Sequence, residues 1–79
     1  MYKLNLSKQE LHELDKHNDD FLIHKLINTI HYLSKNIDNT FYISDVNAIE
    51  LRDIYLSNSF LPLSRKLTTK LETFFSEIV

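Results

Sequence analysis

The sequence contains no cysteine and no glycine, and its 79 residues include a single proline. Without cysteine, disulfide bonds, thiolate zinc sites and cysteine nucleophiles are excluded. Without glycine, phosphate-binding loops of the Walker and dinucleotide types are excluded, and helices must end without a glycine cap. Turns must therefore rely on asparagine, aspartate and serine.

Long hydrophobic runs are also missing. The longest span three residues, as at 21–23 and 41–43, whereas a membrane-spanning helix needs about 20. The first five residues lack the basic region and apolar core of a secretory leader. We therefore expect a cytoplasmic protein with no membrane association. The formal net charge is −2, which by itself favours neither a nucleic-acid binder nor a DNA mimic.

The segment 19–37 carries the clearest periodic pattern, and we expect the rest of the chain to pack around it. Its apolar residues recur at steps of three and four, which predicts one face of a helix: Ile23, Leu26, Ile27, Ile30, Leu33 and Ile37. Asp19 and Asp20 stand at its start, where carboxylates cap free amides and oppose the helix dipole.

An earlier helix start is marked by Ser7 and Glu10, which have the spacing of a capping box. Leu6 and Leu11 occupy the two positions of a hydrophobic staple around it. The apolar positions end at Leu14, so this helix is predicted to be short.

Two short segments have strand character. Residues 2–6 alternate apolar and polar side chains, and residues 41–43 are aromatic and β-branched. They could pair as a two-stranded ribbon. We favour the alternative that 41–43 is an extended linker burying Phe41 and Ile43.

The second half predicts two further helices. Ser44 or Asp45 caps the first, and Ser57, Asn58 and Ser59 end it. Pro62 fits the first turn of the second, whose apolar stripe is formed by Leu63, Leu67, Leu71, Phe74, Phe75 and Ile78.

These segments together predict the fold class. We expect an all-α protein, or a mainly α protein with a minor short β pair, forming a small four-helix bundle-like single domain over residues 1–79. The predicted helices lie near 8–16, 20–35, 45–57 and 63–78.

Catalytic and metal-binding chemistry find little support in the residue spacing. His17, His24 and His31 recur every seven residues, which separates them by about 10.5 Å along a helix and is too far for one ion. The paired carboxylates Asp19 and Asp20 are explained by helix capping. We therefore expect no enzyme activity, no metal site and no cofactor.

Four basic residues indicate one function, the binding of nucleic acid. Arg52, Arg65, Lys66 and Lys70 could form a nucleic-acid contact on a helix-turn-helix-like DNA-binding regulator. The simpler interpretation is a solvated helix face. We hold DNA binding as the alternative function, because the turn before the last helix contains Phe60, Leu61 and Pro62.

The second half contains more large apolar side chains than a small core has to bury, and these indicate the function that we favour. Tyr55, Phe60, Leu61, Phe74 and Phe75 could form an exposed partner-binding surface. The opposing interpretation is that they fill the core, since small domains need many large side chains. We predict a non-catalytic interaction module that binds and inhibits or regulates a larger protein. Homodimer formation through the same surface is a close variant.

In length and composition the chain is similar to small phage-encoded inhibitors and to bacteriocin immunity proteins, which are also short helical chains. The resemblance lies in a short, mildly acidic sequence without cysteine or glycine. It implies an inhibitory binding function and assigns no residue.

Overall fold

A computed structural model describes residues 1–57 and 60–78 of the chain. The described ranges contain three strands and four helices. In chain order they are β1 (Tyr2–Asn5), α1 (Lys8–Lys16), α2 (Phe21–Tyr32), β2 (Ser34–Ile37), β3 (Thr40–Ile43), α3 (Asp45–Ser57) and α4 (Arg65–Ser76).

The three strands form one antiparallel sheet in the order β1-β3-β2. Ile43 of the central strand lies between Tyr2 of β1 and Ser34 of β2. The fold class is therefore α+β. The prediction of an all-α or mainly α four-helix bundle is wrong, because it allowed at most a minor short β pair, whereas a three-stranded sheet supplies one layer of the molecule.

The second strand replaces the predicted last turn of the central helix. That helix ends at Tyr32, and Ser34–Ile37 pairs with β3. Asp38 and Asn39 join the two strands with positive φ angles of 51° and 64°. Two consecutive positive φ values make the tight hairpin connection that matches strand twist. The preference of Asp38 and Asn39 for a tight turn outweighs the helical spacing of Leu33 and Ile37, so residues 34–37 form a strand.

The first and third strands correct a second expectation. Leu4 lies opposite Phe41, and Lys3 lies opposite Tyr42. Residues 41–43 thus belong to the central strand of the sheet, and our preference for an extended linker there was wrong. Phe41 and Ile43 are buried, as predicted.

Most helices begin where the sequence predicts. Ser7 and Glu10 form the predicted capping box, with the Glu10 amide 3.2 Å from Ser7 Oγ. Asp20 accepts the Ile23 amide at the start of α2, and Ser44 accepts the Asn47 amide at the start of α3. The last helix begins at Arg65 and not near 63, because Ser64 caps the Leu67 amide.

The core lies between the helices and one face of the sheet. Inward-facing strand residues Leu4, Phe41 and Ile43 belong to one buried cluster with residues from all four helices of the described ranges. The predicted stripe of α4 is buried from Leu67 to Ile78. In the predicted stripe of α2, Ile27 is partly buried and the other apolar residues up to Ile30 are buried. Leu33 and Ile37, which follow the helix, are exposed.

The predicted end of α3 falls partly on Asn58 and Ser59, which lie outside the described residues. Among residues 1–57 and 60–78, none of the helices combines the length and apolar character needed to cross a membrane.

Candidate interaction surface

The structure separates the five aromatic and leucine residues that the sequence analysis grouped as a partner-binding surface. Phe74 and Phe75 are 4% and 3% exposed, and Leu61 is also buried. These three side chains are part of the core and cannot meet a partner. Phe60 is 73% exposed. The expectation of one exposed aromatic surface there is therefore corrected.

Tyr55 lies at the edge of this core. Its ring stacks on Phe75 with centroids 4.7 Å apart, and its hydroxyl donates to Glu72 Oε2 at 3.3 Å. Burial, followed by the nearby Glu72 charge and this hydrogen bond, raises the pKa of Tyr55. Its contacts join α3 to α4, which gives the side chain a structural role.

Two of the four predicted basic side chains are paired with other residues of the chain. Lys70 Nζ lies 2.7 Å from Glu10 Oε1. Arg52 donates to the Ile78 carbonyl at 3.1 Å and also contacts Asp53. Arg65 and Lys66 remain exposed at the start of α4, so the four side chains do not present a continuous set of available cations.

The parts of the chain that the structure describes contain no assembled group of metal ligands. No three histidine, aspartate or glutamate side chains there are grouped so that they could hold a metal ion. Glu10 is held by the capping box and Lys70, and Glu13 accepts hydrogen bonds from the Ser64 amide and hydroxyl.

The outward face of the sheet is a different kind of surface. Directly opposed residues of neighbouring strands share a face, so Lys3, Tyr42 and Lys35 form one row across all three strands. Both lysines are exposed and Tyr42 is partly exposed. Lys3 Nζ lies 5.8 Å from the centroid of the Tyr42 ring, in cation–π contact.

Exposed aliphatic side chains border this row. Ile37 at the end of β2 is 49% exposed, and Leu33, directly before β2, is 57% exposed. Met1, directly before β1, is 74% exposed. Tyr2 and Ser34 both pair with Ile43, so Met1 and Leu33 lie at the same end of the sheet. We call Met1, Lys3, Leu33, Lys35, Ile37 and Tyr42 the sheet patch.

The sheet patch is positively charged although the chain is acidic overall. Within residues 1–57 and 60–78, the side chain of Lys35 makes no hydrogen bond or ion pair. Asp38 lies in the hairpin turn at one end of the patch. At the other end, Asp45 is paired with the Met1 amino group at 2.7 Å. The strands themselves contribute two lysines and no carboxylate.

A second set of exposed apolar residues lies on α3. Val46, Ile49 and Leu56 recur at steps of three and seven, which places them on one side of the helix. Asp53 falls within the same stripe and is paired with Arg52. This stripe has no central aromatic residue, and a charged side chain interrupts it.

Sequence reasoning missed the sheet patch because it did not identify β2. Two signals could have indicated it. Asp38 and Asn39 lie between Ile37 and the apolar run 41–43, and such a pair is typical of a two-residue hairpin. The alternation of residues 2–5 then places Lys3 on the outward face, opposite the side that Leu4 buries.

Comparison with known proteins adds no assignment, since no family model, curated protein or solved structure matches this chain.

Proposed function

We propose that this protein is a non-catalytic interaction module that binds a larger protein through the sheet patch and thereby inhibits or regulates it. The observation that carries the proposal is an open sheet face on which exposed aliphatic residues surround a central tyrosine. Exposed apolar side chains that are grouped on one face of a small domain are typical of protein-binding surfaces.

The packing beneath the patch supports this role. Tyr42 lies between Phe41 and Ile43, whose side chains are buried in the core on the other face of the same strand. The strand that presents Tyr42 is also hydrogen-bonded on both sides. A ring held on a rigid strand loses little conformational entropy when a partner covers it, which favours affinity.

Quantitative affinity capture from the source cell tests the proposal. The wild-type chain is compared with Tyr42→Ser and Leu33→Ser, which alter the sheet patch. Leu56→Ser on α3 is the matched control, because it removes an exposed apolar side chain from another surface. We expect one protein to be captured by wild type and by the control, and to be lost with either patch variant.

Two results would overturn the proposal. One is retention of the captured protein by both patch variants when Leu56→Ser loses it, which would place the interface on α3. The other is a concentration-dependent dimer in light scattering that both patch variants abolish, which would make a second copy the occupant. Circular dichroism of each variant shows that the fold is kept.

A further inference from the structure

We infer that the occupant of the sheet patch is a short amphipathic helix of the partner, with an apolar stripe between acidic flanks. This inference rests on the proposed function and names the chemistry that the patch selects.

The dimensions of the open face fit one helix. Three strands place the outer two about 10 Å apart, which is close to the diameter of an α-helix with its side chains. From Met1 to Asn5 the face is about 14 Å long, a distance covered by about nine helical residues. The core side of the sheet is already covered by helices, so a helix on the outward side would complete a third layer.

The charges fit acidic flanks on such a helix. Lys3 and Lys35 stand on opposite outer strands, with Tyr42 of the central strand between them. A helix lying along the central strand would have its apolar stripe over Tyr42 and one lysine along each side. Carboxylates on both flanks would then meet both cations, giving charge complementarity that steers and orients binding.

A second copy of this chain fits the patch less well. Face-to-face packing of two sheets would bring Lys3 and Lys35 of both copies into one interface. Like charges brought together in this way oppose association. The strands carry no carboxylate to balance these lysines, and Asp45 at one end of the patch is already paired with the Met1 amino group.

Single-stranded nucleic acid also fits less well. Binding of single strands uses several stacking rings along a basic groove, whereas the outward face of the strands presents the single ring of Tyr42. The patch is bordered by aliphatic Met1, Leu33 and Ile37, which give no contact to phosphate. The net charge of −2 adds repulsion.

Fluorescence anisotropy with defined probes tests the inference. The main probe is a labelled synthetic helical peptide of about 14 residues, about 20 Å long, with leucines on one stripe and glutamates on both flanks. A second peptide carries lysines in place of the glutamates. A labelled single-stranded oligonucleotide is the third probe. The proteins are wild type, the double variant Lys3→Glu with Lys35→Glu, and Lys66→Glu, which reverses one exposed charge on another surface and serves as the control.

The inference predicts saturable binding of the acidic peptide to wild type and to Lys66→Glu. It predicts a loss of about tenfold or more with the double variant, and recovery of that variant's binding with the lysine peptide, because the charges are exchanged. Binding should also weaken as salt is raised.

Three results would overturn the inference: no saturable binding of the acidic peptide, equal weakening by Lys66→Glu, or binding of the oligonucleotide alone with loss in the double variant. If the peptide fails while cellular capture still depends on Tyr42, the proposed function stands and only the helical acidic occupant is rejected. If both fail, the proposed function fails as well.

Discussion

Lys70 Nζ and Glu10 Oε1 lie 2.7 Å apart although the two residues are 60 positions apart in the chain. The same Glu10 oxygen accepts the Ser7 amide at 2.9 Å and completes the capping box of α1. Glu10 is almost buried and Lys70 is partly exposed. The Glu10 carboxylate therefore caps the N-terminus of α1 and also pairs α1 with α4. Substitution of either partner measures how much this contact contributes to the stability of the fold.

Lys70→Met is expected to lower the free energy of unfolding by about 1–2 kcal/mol, because it leaves a buried carboxylate without its cation. Solvent screens part of the ion-pair energy, because the Lys70 side chain is partly exposed. Urea denaturation measures the change. Lys66→Met is the control, since Lys66 is exposed on the same helix and contacts no carboxylate in the described ranges. An equal loss in both variants would show that the Glu10 contact contributes nothing particular.

The pH dependence of stability gives a second prediction. Burial raises the pKa of Glu10, but hydrogen bonds from Lys70 and Ser7, together with the Lys70 charge, outweigh it and lower the pKa below its ordinary value of 4.5. A carboxyl whose pKa is lowered by folding contributes stability above its unfolded pKa. That contribution is lost as the pH falls through the lowered folded value.

Urea titrations at about pH 6 and about pH 3 compare wild type with Glu10→Gln, which does not titrate. We expect the stability difference between the two proteins to shrink at the lower pH. A difference that stays constant between the two conditions would show that Glu10 is not held ionised by its partners.

Phe74→Ala is expected to destabilise the protein by about 3–5 kcal/mol, because it leaves a cavity in the core. Phe60→Ala removes a ring that is largely exposed, and its effect should stay within about 0.5 kcal/mol. Thermal unfolding followed by circular dichroism measures both. Similar small changes for the two variants would mean that Phe74 is accessible, as the sequence alone suggested.

The hairpin turn gives a prediction on the backbone. Asn39 has a φ of 64°, a left-handed conformation that costs most residues about 1–2 kcal/mol and asparagine less. Asn39→Ala should therefore lower the free energy of unfolding by about 1 kcal/mol, while Asn39→Gly should not lower it. If both substitutions destabilise equally, the asparagine side chain and not the backbone angle is what the turn requires.

Local signals were sufficient to predict much of the fold. The capping box at Ser7 and Glu10 and the cap at Asp20 fix two helix starts through neighbours within three residues. The bounds 8–16 and 45–57 of two helices were predicted as the structure has them. Such signals need no knowledge of distant contacts.

Strand pairing was harder to predict because it depends on residues far apart. Lys3 and Tyr42 are brought together only by the pairing of β1 with β3. Residues 34–37 have a mostly polar sequence with no strand alternation of its own, and the hairpin turn defines them. The sheet patch is built from these strands, so it could not be placed before the pairing was known.

The predicted interface failed for a related reason. Apolar periodicity identifies the side of a helix that avoids water, but it does not say whether the chain itself or a partner covers that side. In α4 the sheet and neighbouring helices cover Phe74 and Phe75. Two of the exposed apolar residues, Leu33 and Ile37, lie instead where the helical pattern was interrupted.

Hydrogen–deuterium exchange of the protein, measured by mass spectrometry with and without its captured partner, is the most direct test of the central claim that the open sheet face is the binding surface. We expect added protection in peptides covering residues 2–5 and 34–43, with little change in α1 and α4. Protection confined to α3 or to α4, with the strands unchanged, would contradict the claim.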